Sequence, residues 1–402
     1  MKAYLLSVGD EVLSGKVINT NAAYLAQELE KLGIIPMKVI SVGDEAQQIA
    51  SVIHEFLESE ATLLISTGGL GPTHDDFTKE VICETLGRQL VYNETASQDM
   101  LHYFGEVKSD CNAKQAYYPI DSILISNPIG SADGVIIQEK GKHLILLVGP
   151  TIEMRTLYAI GVEPYLQDKV TPRLIQDYLV MGQSESAFEN ILTPLFASHP
   201  LVTCAPYASL GVIRYRLIAK ADQSAAFNAA KQSFQAIMGP FITSEDNLPI
   251  QEVICRLLDA RHEIVSCAES MTGGLIAERL TSVAGASRVL KESYVVYCNQ
   301  AKETILGVSP LTLETYQAVS EEVALEMVKG LQLKTSCDLA LAITGFAGPD
   351  GAAVGTGWIG IAYHEQVLSF PFHVHGNREM IRMKACNQLL YHAYGMMRKG
   401  VL

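Results

Sequence analysis

The sequence predicts an α/β protein with a three-layer parallel-sheet N-terminal domain, a small α+β middle domain and a C-terminal α/β domain. Strand-like and helix-like segments alternate up to about residue 90, give way to a strand-rich pattern between 171 and 245, and alternate again from about residue 250. Such alternation with short connections favours a parallel sheet covered by helices. The length of 402 residues allows two or three hydrophobic cores. We therefore expect domains at 1–168, 169–246 and 247–402.

In the N-terminal segment, three short apolar runs predict buried strands. They lie at 4–8, 37–42 and 61–67. Apolar residues three or four positions apart predict helices around 25–32 and 49–56, and a further helix should end near Gly87. Ligands bind beyond the carboxyl ends of strands in such sheets, so the loops after Val8 and Thr67 are candidate binding loops.

The two remaining segments differ in pattern. The middle segment predicts a β-α-β-β-α unit, with elements at 174–181, 185–192, 201–206, 211–220 and 225–238. The C-terminal segment predicts a helix near 253–258 and a closing helix after Asn377. Between them we expect five strands, at 263–268, 293–298, 338–343, 358–363 and 367–373.

The composition narrows the class of protein. With 30 lysines and arginines against 44 aspartates and glutamates, the formal net charge is −14. So acidic a chain repels a phosphate backbone, and we do not expect nucleic acid to be its main partner. The eight cysteines stand singly, which argues against a zinc ribbon or redox pair. No signal peptide or membrane-spanning run is found, so we expect a cytoplasmic protein.

A serine follows the apolar run at 263–268, where Glu269-Ser270-Met271-Thr272-Gly273-Gly274 leads into a helix. A serine at a strand-to-helix turn is exposed at the sheet edge, and the glycines let backbone N–H groups approach an anion. Ser270 is thus a candidate nucleophile, with Thr272, Gly273 and Gly274 around the substrate. Alternatively, Ser270 or Thr272 serves as a helix cap and has no catalytic role.

Three further features lie in the C-terminal segment. Lys302 follows a strand end, where a desolvated lysine can act as a general base, although most lysines are solvated. Thr344 and Gly345 begin a glycine-rich loop that could cradle a phosphate, supply oxyanion donors or simply turn the chain. Arg378 and Arg382 share a helix face, either to grip a phosphate or as an ordinary basic surface.

These features together resemble the C-terminal domain of the CinA (competence/damage-inducible protein) family. The resemblance is carried by A-E-S-x-T-G-G, Y-x-N-x-A-K and T-G-x-A-G-P-D-G, in this order. It implies a metal-free serine–lysine amidohydrolase that converts nicotinamide mononucleotide to nicotinate mononucleotide and ammonia. Met271 departs from the usual cysteine of the family, and the loop after Gly351 is shorter than usual.

The resemblance also implies roles for individual residues. Ser270 would attack the carboxamide carbon and Lys302 would accept its proton. Tyr297 and Asn299 would line the site, and the 272–274 and 344–345 loops with Arg378 would hold the oxyanion and the phosphate.

A glycine loop with paired carboxylates follows the third N-terminal strand. The glycines at 68, 69 and 71, together with Thr73, can present N–H groups to a pyrophosphate. Asp75 and Asp76, with Asp10 from the first candidate loop, can hold a hard divalent cation that neutralises it. Aspartates at a helix start are also common caps.

These loops resemble the molybdopterin-binding-like domain of the same family, through G-D-E-x-L-x-G, N-T-N-x-x-x-L and T-G-G-L-G-P-T-x-D-D. The resemblance implies a pyrophosphatase that uses magnesium, manganese or cobalt to cleave ADP-ribose into AMP and ribose 5-phosphate. The sequence departs from the family at Asp133, which replaces a proline, and over 147–154. The middle segment resembles the family's KH-like linking domain but lacks a nucleic-acid-clamping G-x-x-G loop near Gly182.

The resulting hypothesis is a bifunctional nucleotide hydrolase of pyridine nucleotide recycling, acting on small molecules as a homodimer and without a membrane partner. One alternative is a molybdopterin- or nucleotide-binding protein, and another is a non-enzymatic competence-related partner. Ser270 and Lys302 favour the enzyme, because a scaffold requires neither residue.

Overall fold

A computed structural model describes residues 1–104, 113–171, 173–351 and 353–399. The chain divides into two compact units, Met1–Arg173 and Leu174–Leu402. The architecture is mixed α/β, as the sequence predicts.

A six-stranded sheet forms the centre of the first unit. The strands of this unit are β1 (Lys2–Val8), β2 (Ile35–Val42), β3 (Leu63–Thr67), β4 (Leu90–Tyr92), β5 (Tyr117–Pro119), β6 (Ile123–Ile125), β7 (Gly134–Glu139) and β8 (Lys142–Leu147). The sheet has the order β2-β1-β3-β8-β7-β6, while β4 and β5 pair separately. Helices cover it, and buried apolar side chains from both layers form its core.

The helices of the first unit connect these strands. They are α1 (Asp10–Leu13), α2 (Thr20–Lys31), α3 (Ala46–Glu58), α4 (Thr78–Leu86), α5 (Glu94–Phe104), α6 (Thr151–Leu157) and α7 (Glu163–Gln167). Gly87 ends α4 in a left-handed conformation, as expected for a glycine C-cap.

The first sheet is only partly parallel. β1 pairs in parallel with β2 and β3, and β3 with β8, but β7 pairs antiparallel with both of its neighbours, β8 and β6. The direction of β7 relative to β8 follows from the two-residue turn between them, where Lys140 and Gly141 both have positive φ. Such a tight hairpin joins antiparallel strands, whereas a parallel pair needs a long crossover.

A four-stranded sheet occupies the middle segment. Its strands are β9 (Arg173–Val180), β10 (Thr203–Ser209), β11 (Val212–Lys220) and β12 (Ile242–Ser244), in the order β10-β11-β9-β12. Two helices, α8 (Glu185–Ala197) and α9 (Ser224–Met238), pack on it around Tyr178, Phe188 and Phe234. β12 follows the last element that the sequence predicts for this segment; it pairs with β9 and buries Ile242.

The C-terminal segment forms a five-stranded sheet. Its strands are β13 (Val265–Glu269), β14 (Leu290–Val295), β15 (Leu339–Gly345), β16 (Thr356–Tyr363) and β17 (Gln366–His373). In the order β14-β13-β15-β16-β17, β13 is parallel to both neighbours and the last three strands are antiparallel. The strand expected at 293–298 ends earlier, because the chain leaves the sheet after Val295 to enter a helix.

In the residues that the structure describes, six α-helices accompany this sheet. They are α10 (Ile250–Arg261), α11 (Leu275–Thr281), α12 (Asn299–Leu306), α13 (Pro310–Tyr316), α14 (Glu321–Thr335) and α15 (Arg378–Lys399). The middle segment packs against the C-terminal domain. Met181 belongs to the core of that domain, and Asn387 Nδ2 donates to the carbonyl of Leu210 at 2.9 Å.

The described cysteines are all free thiols, five of them buried, and Cys111 lies outside the described residues. Within the described ranges, none of the helices is both long and apolar enough to cross a lipid bilayer.

Candidate active site

Ser270 and Lys302 come together at one edge of the C-terminal sheet. The amine of Lys302 lies 3.2 Å from Ser270 Oγ and donates to the carbonyl of Val296 at 2.9 Å. Ser270 directly follows β13, and Lys302 lies in the first turn of α12, shortly after β14. Because β13 and β14 are parallel, their carboxyl ends meet at the same edge, which explains the contact.

The environment of Lys302 favours its neutral form. The side chain is only 1% exposed, and burial lowers the pKa of its amine from the usual lysine value. Its position in the first turn of α12 acts in the same direction, because the positive end of a helix dipole disfavours an ammonium group. A neutral amine at this distance can accept the proton of the Ser270 hydroxyl.

The loop around Ser270 is held by a carboxylate that sequence reasoning left without a role. Glu269 is fully buried, and its carboxylate accepts the N–H groups of Gly274, Ile276 and Ala277 at 3.0, 3.1 and 2.9 Å. Its carbonyl accepts the N–H of Val296 at 2.8 Å. One residue therefore fixes the start of α11 and the exit of β14. The sequence did carry a signal for this role, because an acidic residue just before a helix can accept the N–H groups of its first turn.

Two backbone N–H groups are available beside the Ser270 hydroxyl. The N–H of Ser270 donates to Ile343, and that of Gly273 donates to the Ser270 carbonyl. In the described part of the chain, the N–H groups of Met271 and Thr272 donate to no other group. They are therefore candidate donors to an oxyanion.

The two arginines of α15 have different partners. Arg382 donates from Nε, at 3.2 Å, and from Nη2 to the carbonyl of Thr272, so it supports the nucleophile loop. Arg378 donates to the carbonyl of Gly348 and, at 3.1 Å, to the Tyr297 hydroxyl. Arg378 therefore connects Tyr297 with the glycine-rich loop that follows β15.

The other predicted residues of this site differ in their contacts and exposure. The Thr344 hydroxyl donates to the carbonyl of Ala318 at 2.7 Å and is thus already engaged. A Cβ atom on Gly345 would meet the sulfur of Met271 at 2.5 Å, so glycine allows the two loops to pack. Asn299 is the exposed first residue of α12. Gly274, at φ 96°, has a conformation that favours glycine.

A second candidate site lies beyond the carboxyl ends of the parallel strands in the first unit. A cavity of about 390 Å³ is lined there by Gly68, Gly69 and Gly71. The acidic side chains of its lining are Glu11, Asp44, Asp75, Asp76 and Glu153. Of these, sequence reasoning missed Asp44 as part of this site.

Asp10 does not line this cavity, but it is hydrogen-bonded to Asp44, which does. Its Oδ1 accepts the N–H of Asp44 at 3.2 Å, and its own N–H donates to Asp44 Oδ2 at 3.1 Å. Burial and nearby carboxylates raise the pKa of Asp44 from its usual value. Concentrated negative charge of this kind favours a bound cation.

The paired aspartates are arranged by Thr73 and Lys114. Thr73 donates its N–H to Asp76 Oδ2 at 3.0 Å, and its hydroxyl contacts both Asp75 and Asp76. The Lys114 amine donates to the carbonyls of Thr73 and Asp76. The loop is therefore held in one conformation beside the cavity.

The carboxylates of this cavity suit a hard divalent cation, but too few of them lie close together to hold one without further ligands. Among the described residues, no three His, Cys, Asp or Glu side chains form a cluster that could hold a metal ion. Mg²⁺ is often held by one or two carboxylates together with substrate phosphates, rather than by protein ligands alone. The residues therefore fit a cation that a phosphate-bearing substrate helps to bind.

Asp133, which departs from the family pattern, stabilises the loop next to this cavity. It is 2% exposed, and its Oδ1 accepts the N–H of Asn127 at 2.7 Å. Burial raises the pKa of Asp133 to about 7. Asn127 in turn donates to Glu153 at 2.8 Å, so Asp133 positions a residue that holds an acidic group of the cavity.

Comparison with known proteins divides the chain in the same way as its sheets. Residues 4–168 match the family described as "Probable molybdopterin binding domain", and residues 247–397 match the family described as "CinA C-terminal domain". A competence-damage inducible protein of Caldicellulosiruptor saccharolyticus is 39% identical over 97% of this chain and 98% of its own. A CinA-like protein of Kosmotoga olearia is 36% identical over 96% of each.

A solved structure of CinA from Thermoplasma acidophilum is 32% identical, covers 41% of this chain and 99% of its own, and has a TM-score of 0.39. On the identity and coverage of the relatives over their full lengths, the chain belongs to the CinA family.

Proposed function

We propose that the C-terminal domain hydrolyses the carboxamide of nicotinamide mononucleotide, giving nicotinate mononucleotide and ammonia. The observation that carries this proposal is the 3.2 Å contact between Ser270 Oγ and the amine of buried Lys302. A serine hydroxyl is a weak nucleophile at pH 7 unless a neighbouring base takes its proton. The resemblance of the surrounding motifs to the CinA family supplies the choice of substrate.

The reaction follows from the groups around Ser270. Ser270 Oγ bonds to the carboxamide carbon while Lys302 takes the hydroxyl proton, and the N–H groups of Met271 and Thr272 stabilise the negative carbonyl oxygen. The carbon–nitrogen bond then breaks, Lys302 gives its proton to the leaving nitrogen, and ammonia departs. Lys302 next deprotonates a water molecule, which cleaves the Ser270 ester and restores the serine.

Two groups at the mouth of the site suit the rest of this substrate. Tyr297 is 61% exposed and offers an aromatic face to the pyridine ring. Arg378, which contacts the Tyr297 hydroxyl, offers a guanidinium group to the phosphate.

Two substitutions test the proposal. Ser270→Ala and Lys302→Met should each lower ammonia release from nicotinamide mononucleotide by about 1,000-fold or more, because the nucleophile and its base act as a unit. Lys291→Met is a matched control, since the Lys291 amine donates to the Thr335 carbonyl and plays no part in the reaction. Circular dichroism should show all three variants folded. Near-normal turnover by Ser270→Ala would reject the serine mechanism.

For the N-terminal domain, we propose metal-dependent cleavage of ADP-ribose to AMP and ribose 5-phosphate. The combination of a glycine loop and acidic residues around one cavity supports it. A pyrophosphate entering this cavity needs positive charge, which a divalent cation held by Asp75, Asp76 and the substrate would supply. Purified protein with magnesium should release AMP from ADP-ribose, and Asp76→Ala should not. No AMP from the wild type would reject the assignment.

The match of residues 4–168 also supports a competing activity, the binding of molybdopterin. Mass spectrometry of small molecules released from the purified protein separates the two. A pterin would favour the binding protein, whereas a nucleotide would favour the hydrolase. A non-enzymatic competence partner would show neither ammonia nor AMP release.

A further inference from the structure

A cavity separate from both candidate active sites lies between the four-stranded sheet and α15. Its volume is about 780 Å³, within the usual range of small-molecule sites. It is lined by the 181–185 segment, the 208–213 turn, the 371–375 segment and one face of α15. We call this space the junction cavity. None of the residues assigned above to amide or pyrophosphate hydrolysis lines it.

The hydrogen-bond donors of the junction cavity can bind an anion. In a chain of net charge −14, the lining contains one lysine and three histidines, and Glu185 is its single carboxylate among the described residues. Lys384 donates to the carbonyl of His375 at 2.7 Å, which anchors its amine at this wall. The rings of His373 and His375 lie 4.5 Å apart. An ammonium group and two imidazoles at one end suit a phosphate.

The α15 side of the junction cavity also offers flat rings. His392 stacks on Phe370, with ring centroids 4.0 Å apart and an interplanar angle of 10°. Gly182, at φ 102°, lies directly against Tyr391, since a Cβ atom there would meet the Tyr391 hydroxyl at 2.4 Å. Both rings are thus fixed by packing. Fixed aromatic faces favour a planar ring in the ligand through stacking.

The start of α8 adds to the preference for an anion. Ser184 caps this helix by accepting the N–H of Ala187 at 3.2 Å, and Ser184 and Glu185 line the cavity. The N-terminal end of this 13-residue helix carries partial positive charge, which adds to the attraction for an anion.

We propose that the junction cavity binds a mononucleotide, with its phosphate near Lys384, His373 and His375 and its base against Tyr391 and His392. The volume accommodates a ligand of this size, and the lining offers separate groups for its phosphate and for its planar part. The proposal goes beyond the two hydrolytic activities and does not depend on either of them.

Calorimetric titration with AMP tests the proposal. The other two sites are first removed by combining Asp76→Ala with Arg378→Ala, in buffer containing EDTA. This background protein should still bind AMP, and should bind adenosine about tenfold or more weakly, because adenosine has no phosphate. Adding Lys384→Glu should weaken AMP binding by at least about tenfold, and Lys384→Gln by less.

Two results would overturn the proposal. One is no binding of AMP by the background protein at millimolar concentration. The other is an AMP affinity that Lys384→Glu and Lys384→Gln leave unchanged. Because Lys384→Gln removes the charge with little change in shape, it keeps the test informative if the charge reversal disturbs folding. No turnover is measured, so failure of either proposed activity would not affect the outcome.

Discussion

The buried amine of Lys302 makes a residue-scale prediction about pH. Burial lowers its pKa from the usual lysine value, so the neutral fraction grows as pH rises through this lowered pKa. The kcat for ammonia release should therefore rise with pH and level off below about pH 10, where an ordinary lysine would titrate. Measuring kcat from about pH 6 to pH 10, with circular dichroism at each pH, checks this. A flat profile would argue against Lys302 as the base.

Asp133 makes a prediction about stability. Burial raises its pKa to about 7, whereas an unfolded aspartate titrates near 3.9, so the folded state retains a proton between these values. Its contribution to stability is fully present below about pH 4 and is lost as pH rises through about 7. Asp133→Asn retains an acceptor for the Asn127 N–H without the charge, and should stabilise the N-terminal unit by about 1–3 kcal/mol at pH 8.

The matched control for this change is Asp121→Asn, at an exposed aspartate. Urea unfolding, followed at about pH 8 and again at about pH 5, should show the larger gain for Asp133→Asn at the higher pH. An equal gain at both values, or the same gain from the control, would contradict the role of burial.

Single residues also mark the limit of prediction from sequence. Ser270 and Lys302 stand in short motifs at strand ends, so their contact follows once two strands are parallel. Glu153 is held at its cavity by a hydrogen bond from Asn127. The position of Asn127 depends in turn on its hydrogen bond to Asp133. These contacts join residues from separate segments, so no local sequence pattern predicts them.

At the scale of elements, the start of α11 depends on Glu269. Glu269→Ala would leave one buried and two partly buried N–H groups without an acceptor and should lower the free energy of unfolding by about 2–4 kcal/mol. Glu269→Gln, which retains an oxygen acceptor, should lose less. Since the same turn presents Ser270, kcat for ammonia release should fall more than KM changes.

Glu278→Ala, at an exposed glutamate of the same helix, is the control and should change stability by no more than about 0.5 kcal/mol. Denaturant unfolding and steady-state kinetics on the three variants check this prediction. If Glu269→Ala matched the control in both, Glu269 would not hold the loop.

Most strands could be predicted because apolar runs between turn residues are strong signals. The antiparallel parts of both large sheets were missed, because the apolar runs do not reveal strand direction. For the β7–β8 and β16–β17 pairs, two-residue turns set it. β6 and β12 have three residues each, too few for a pattern. For α14, the buried residues Val323, Met327 and Leu331 do stand at helical spacing, so the sequence carries a signal that was left unassigned.

At the scale of the whole molecule, the two proposed activities should respond differently to chelation. ADP-ribose cleavage needs a cation to neutralise two phosphates, whereas amide cleavage relies on Lys302 and backbone N–H groups. EDTA should therefore stop AMP release and leave ammonia release largely unchanged. Asp76→Ala should reproduce the effect of EDTA, and Ser270→Ala should give the opposite pattern. Loss of both activities with EDTA would contradict two independent sites.

The placement of both candidate sites could also be predicted at this scale, because ligands bind at the carboxyl ends of parallel strands. The junction cavity could not be predicted in this way. It arises where the turn before α8 meets α15, and these segments are far apart in the sequence.

The core of the C-terminal domain includes Met181, and Asn387 of its last helix is tied to Leu210. These two contacts limit which segments of the gene can be exchanged by recombination. A recombination event that exchanged the gene segment for residues 247–402 alone would bring in a helix evolved against another neighbour, so Met181 and Leu210 would face a foreign surface. The middle segment and the C-terminal domain should therefore be exchanged between lineages as one genetic cassette, and substitutions on either side of residue 247 should accumulate in step.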